Sequence, residues 1–175
     1  MEKITEYSKF ILFACGVLVG IQLPGFVGQY GKSLESHYLE SNLSLAEFQD
    51  DADQYFSGDL LKLIEHYQIN PDQVFNAGGE SIDAIYNRNQ LLESKLVEFN
   101  SSEYLAFKQV YLSPVPDIRN EVWSNYTFSV TLDKFAVAFG LLSGFLFALS
   151  LEIAYWLLRL PLKIMRKPKH KYSNT

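Results

Sequence analysis

The sequence predicts an all-α membrane protein with two transmembrane helices and an extracytoplasmic helical bundle between them. Three observations predict it: a long apolar stretch towards each end, charges sorted by sign along the chain, and apolar residues recurring at spacings of three and four in between. Averaging hides all three. Over 175 residues the overall charge is -5, with 48% hydrophobic and 20% charged residues, values that suit an ordinary soluble domain.

Residues 1–9 form a short N-terminus carrying Lys3 and Lys9, and no charge occurs between Phe10 and Val27. A helix over 10–27 reaches about 27 Å at ~1.5 Å per residue, close to the ~30 Å hydrocarbon core of a bilayer. Gln22 and Pro24 fall in its last third, where polar headgroups tolerate an interrupted backbone. A cleaved signal peptide would need an A-x-A-like pattern after the apolar core, whereas Gln22, Leu23, Pro24, Gly25 and Phe26 follow it. Leu12-Phe13-Ala14-Cys15 imitates a lipoprotein signal, but only Phe10 to Ala14 separate Lys9 from the cysteine, so Cys15 reads as a membrane-embedded thiol.

Residues 28–132 form the predicted extracytoplasmic, periplasmic domain. Six basic residues stand there against sixteen acidic ones, a balance of -10, which suits a translocated segment and argues against nucleic acid as a partner. The first helix is expected to continue to about Ser41, and the capping-box pair Ser44 and Glu47 marks a new start. Gly58 is a stop, Asp59 caps a helix through Tyr67, and Asn70-Pro71 ends it. At most one or two turns precede Gly78-Gly79. The longest soluble helix then runs from Glu80 to Phe99, with Ile82, Ile85, Asn89, Leu92, Leu96 and Phe99 forming a coiled-coil-like seam. Asn89 is the polar member of that seam; it either fixes helix register or hydrogen-bonds inside an ordinary core. A helix from Ser102 to Tyr111 ends at Ser113-Pro114-Val115-Pro116, leaving Val122, Trp123, Tyr126 and Phe128 to pack on the bundle or at the membrane surface.

The second span covers 135–158, bracketed by Asp133, Lys134 and Arg159, with Tyr155 and Trp156 where an interfacial aromatic belt belongs. Residues 159–175 form a basic tail with Arg159, Lys163, Arg166, Lys167, Lys169 and Lys171, so the positive-inside rule places both termini in the cytoplasm. Small residues recur one turn apart at Ala136, Gly140, Gly144 and Ala148, matched by Gly16 and Gly20 in the first span. Such rows let backbones approach where lipid offers no hydrophobic contrast; either the two spans pack on each other or the protein forms a homodimer. Glu152 extends the row by one turn, and its charge is expected to reach water, Arg159 or Lys9.

Gln22-Leu23-Pro24, then Phe26, Gln29-Tyr30, Leu34 and His37, then Phe48 and Asp51-Ala52-Asp53, resemble an uncharacterised bacterial family of two-span membrane proteins, the domain of unknown function DUF2937. The resemblance implies a Gram-negative inner-membrane setting and brings no catalytic residues with it.

Catalytic and metal-binding patterns are not found in the residues. His37 and Glu40 lie three apart, but a di-iron bundle needs the glutamate first and needs the pair twice. Asp50, Asp51 and Asp53 lack the glycine and closing glutamate of a calcium loop, and no nucleophile stands with a base. No cofactor and no enzyme activity are therefore expected. The expectation is a structural or adaptor protein of the inner membrane, whose partners are the lipid bilayer and another envelope membrane protein or a second copy. The alternative is a ligand-binding or sensing module taking a small molecule, peptide or cation.

Overall fold

Nothing between Glu2 and Tyr55 stops the helix that begins the chain. The computed structural model describes residues 2–128 and 134–164; Asp133 and the tail residues Arg166, Lys167, Lys169 and Lys171 lie outside them. Among the described residues there are six helices and no strand: α1 (Glu2–Tyr55), α2 (Leu60–Gln68), α3 (Gln73–Ser101), α4 (Glu103–Leu112), α5 (Pro116–Asn125) and α6 (Lys134–Ile164). Two of them, α1 and α6, are long and apolar enough to cross a membrane.

The helix start expected at Ser44 is a correction. The Ser44 hydroxyl donates to the Glu40 carbonyl at 3.0 Å, a back-bond inside a continuous helix rather than a cap on a new one. No glycine or proline lies between Ser41 and Leu45, and continuing the helix buries Leu45 and Ala52 on one side. Pro24 likewise sits inside α1 without ending it. The true stop comes where expected: Gly58 adopts φ +83° and its N–H closes back on the Ala52 carbonyl at 3.0 Å, a left-handed ending that glycine adopts without steric cost.

Three caps set the next helices. The Asp59 carboxylate accepts from the Lys62 N–H at 3.2 Å, Asp72 from Val74 at 2.8 Å, and the Ser102 hydroxyl from Leu105 at 3.2 Å, each satisfying an amide the helix itself leaves open. Asp72 also overturns the expected break at Gly78-Gly79, because α3 starts there and runs straight through both glycines. Gly79 is buried because α2 needs the space: a Cβ on it would stand 2.8 Å from the Gln68 backbone nitrogen. The segment after Ser113 forms a helix that the two prolines concealed; Pro116 is its first residue, where a missing N–H costs nothing.

The chain divides into two compact units, Met1–Gly25 with Thr127–Thr175, and Phe26–Tyr126. The second unit, hereafter the domain, holds two cores. One gathers Tyr30 and Leu34 of α1, Leu92 of α3, Val110 of α4 and Ile118 of α5; the other joins Leu45 and Ala52 to Leu63, Ile64 and Ile82. In the first core the Tyr30 hydroxyl accepts from the buried Val115 N–H at 3.0 Å, which fixes the turn leading into α5. The first unit holds the helix pair formed by the N-terminal part of α1 and α6.

Candidate functional site

Two helices of the domain build a polar groove between them. His37, Glu40, Ser41 and Ser44 come from α1, and Ala84, Ile85, Arg88 and Leu92 from α3, lining an open space of about 350 Å³. Both sets follow helical spacing, so each helix presents one face. Two side-chain pairs join α5 to these walls. His37 Nε2 meets the Glu121 carboxylate at 2.7 Å, with the Ser33 hydroxyl donating to the same group at 3.2 Å, and Arg88 pairs with Asp117. Glu121 and Asp117 lie one turn apart on α5, so a single face of that helix reaches both walls.

These contacts favour the charged carboxylates. The His37 hydrogen bond holds the Glu121 carboxyl below its ordinary value against a smaller opposing effect of burial. At Asp117 burial pushes upward, and the hydrogen bond and charge of Arg88 together with backbone amides outweigh it, so that carboxyl too is lowered.

Two polar atoms on the helices that build the groove are buried without a partner. Ser41 lines it, and Asn89, one residue past Arg88 on α3, is 6% exposed; neither the Ser41 Oγ nor the Asn89 Nδ2 makes a hydrogen bond. Leaving a buried polar group unsatisfied costs about 1–3 kcal/mol each. Gln109, fully buried on α4, is in the same condition at both ends of its amide. Asn89 thus sits on the buried face of α3 with Ile82 and Leu92, as its place in the seam implied, but its amide nitrogen bonds to no neighbouring backbone.

In the helix pair, the small residues mark where α1 and α6 meet. A Cβ on Gly16 would lie 2.8 Å from the Gly144 Cα, one on Gly20 would lie 2.6 Å from the Phe139 carbonyl, one on Gly140 would lie 2.6 Å from Ile21, and one on Gly144 would lie 2.6 Å from Val17. Ala136 is buried on the same face and Ala148 is half-buried. The Ser143 hydroxyl donates to the Gly16 carbonyl, a crossing bond between the helices that the row of small residues had not singled out. Its signal was its place beside Gly144, where a short polar side chain can reach the opposite backbone. Glu152 pairs with Lys9, one of the partners expected for it. At the other end Gln22 Nε2 donates to the Phe128 carbonyl at 3.3 Å.

The remaining candidates scatter. His37 is committed to Glu121 rather than to Glu40, Asp53 accepts from Gln49 at 2.8 Å, and Cys15 is exposed. Among the described residues no group of three or more histidine, cysteine or acidic side chains is placed to hold a metal ion. Of the residues left to pack on the bundle or at the membrane surface, Val122 and Tyr126 are buried, Tyr126 against the edge of the Phe26 ring, while Trp123 and Phe128 are exposed.

Residues 4–164 match the family described as "Protein of unknown function (DUF2937)". The chain belongs to DUF2937. No curated protein and no solved structure matches this DUF2937 chain.

Proposed function

We propose that this DUF2937 chain is a non-enzymatic two-span protein of a bacterial inner membrane, which holds its domain outside the cytoplasm as an interaction module for another envelope protein. The observation that carries the reading is the inverted polarity of the helix pair: glycines are buried, while Phe10, Ile11, Leu18, Leu142, Phe145 and Leu146 face outward. Water would penalise that surface, and hydrocarbon would not. The basic tail supports cytoplasmic termini, and the acidic balance of 28–132 suits the translocated side. The Lys9–Glu152 pair lies at the cytoplasmic end in this orientation, where both charges can reach the headgroups.

The groove between α1 and α3 is the working surface of this module. It is open along its length, whereas sites for small molecules enclose most of their ligand, so a segment of a partner chain fits it better. Such a segment supplies a carbonyl oxygen to the Ser41 hydroxyl. The unpartnered Ser41 hydroxyl also favours a second reading, in which a small polar ligand carrying an acceptor oxygen fills the same place.

The test is photocrosslinking in cells from residues 44 and 84, which border the groove, compared with residue 61 on the exposed side of α2. A discrete partner band from the groove positions alone is the expected result. Crosslinks of equal yield from all three positions, or from none, would sink the adaptor reading. Ser41→Ala should weaken binding on both readings, so the two are separated by what is captured: a crosslinked protein band supports the first, and a small molecule recovered with the purified full chain in the absence of any such band supports the second. A reporter fused near residue 75 checks the orientation and should be active only outside the cytoplasm.

A further inference from the structure

Where α1 leaves its apolar run, the domain presents an aromatic cluster built around Phe26. The Trp123 ring stands edge-on to it at 5.7 Å, Tyr126 at 5.4 Å, and Tyr111 lies 6.4 Å away. Phe26 and Tyr126 are buried, yet Trp123 is 68% exposed and Leu112 77% exposed. A tryptophan placed that openly on a soluble surface gives up burial worth a large part of its ~150–250 Å². The indole has an apolar body and one N–H donor, the combination that sits best at the headgroup level of a bilayer, with one side dry and one side wet.

Charge is sorted to match. On α5, Arg119 lies one turn before Trp123 and both are exposed, while Asp117 and Glu121 occupy the opposite side of the helix and are paired with Arg88 and His37. On α4, exposed Lys108 lies one turn from Tyr111 and Leu112. The domain as a whole is strongly acidic, but its apolar edge is bordered by cations, the sign that anionic headgroups attract.

We infer that Trp123, Leu112 and Tyr111, bordered by Arg119 and Lys108, form a lipid-facing edge that rests in the headgroup layer where α1 emerges. The position of Phe26 carries this, since it closes the apolar run of α1 and its ring touches Trp123. The inference depends on the membrane reading above, and the experiment separates the two. With Trp123 docked in this way, α5 is held at the bilayer, and through Glu121 and Asp117 it steadies both walls of the groove.

The full chain is reconstituted in vesicles of phosphatidylcholine with phosphatidylglycerol, using lipids brominated either high on the acyl chain or near its methyl end. Trp156→Phe leaves Trp123 as the sole tryptophan, and Trp123→Phe leaves Trp156. Trp123 should emit to the blue of free tryptophan and lose most emission to the bromines near the headgroups, with less loss to the deep ones and little to aqueous iodide. Bromine quenching of Trp156 without any of Trp123 would overturn the lipid-facing edge and leave the spans in place. Quenching of neither would overturn both readings. A blue-shifted Trp123 that no bromine reaches would also overturn the proposal, because a protein surface, a second copy included, would then cover it.

Discussion

In the helix pair the residues that meet are Gly16, Gly20, Gly140 and Gly144, and the bulky side chains Leu142, Phe145 and Leu146 point away. In the domain the residues that meet are Tyr30, Leu34, Leu92 and Ile118, and Glu35, Glu80 and Glu93 point away. Both units are helical and both are closely packed; on the membrane reading proposed above, the difference lies in what surrounds them. A helix in water gains by burying large apolar area; between two apolar helices in hydrocarbon that gain vanishes, and what remains is close approach of backbones, which only small residues permit.

The comparison breaks first at the domain core. Leu92, 1% exposed, touches the core that joins four helices, and Leu92→Ala should cost about 2–5 kcal/mol in the thermal unfolding of the domain. A loss below about 1 kcal/mol would mean that the core is not packed as described. The outward side of the helix pair should respond to charge instead. Leu146→Arg, near the middle of α6, should weaken insertion by about 2.5–3.5 kcal/mol, read as the fraction of molecules whose domain is modified beyond the membrane. Unchanged insertion would count against a lipid-facing surface.

A third substitution sharpens the contrast by reversing the first. Gly144→Leu adds bulk where even a Cβ would stand 2.6 Å from Val17 and 2.9 Å from the Phe13 carbonyl oxygen, and overpacking of this kind should cost about 1–3 kcal/mol in detergent-resistant stability of the full chain. If self-association falls while the stability of the single chain is kept, the row instead serves a homodimer. The smallest effect is expected at the side-chain pairs of α5. Glu121 is about half exposed, so screening limits Glu121→Gln to about 0.2–1 kcal/mol near neutral pH. Because its folded pKa is lowered, this contribution is complete above the ordinary glutamate value of ~4.3 and fades as the pH falls through the folded value. Unfolding curves of the two proteins should therefore differ at pH 7 and converge in acid.

The sequence carried the local signals well. Asp59 acts as the cap its position said it would be, Ser102 caps the helix expected to begin there, and Gly58 turns the chain out of α1. Ser44 misled because serine is a good cap and also a residue that bonds back to its own helix, and only burial of Leu45 and Ala52 decides between them. Gly78-Gly79 read as a break because glycine weakens helices, whereas here Gly79 gives α2 room to approach. Pro114 and Pro116 hid α5 for the opposite reason, since a proline that ends one element also starts the next. The groove was the least legible feature. His37, Arg88, Asp117 and Glu121 come from three helices, and their pairing depends on how those helices pack, which no spacing along the chain records.

The bond from Ser143 to the Gly16 carbonyl joins groups 127 residues apart. A ribosome adding ~5–20 residues/s therefore needs about 6–25 s between making one side of that contact and making the other. During that interval the glycine face of α1 has no helical mate. The contact between the two helices is therefore closed only after α6 has been made.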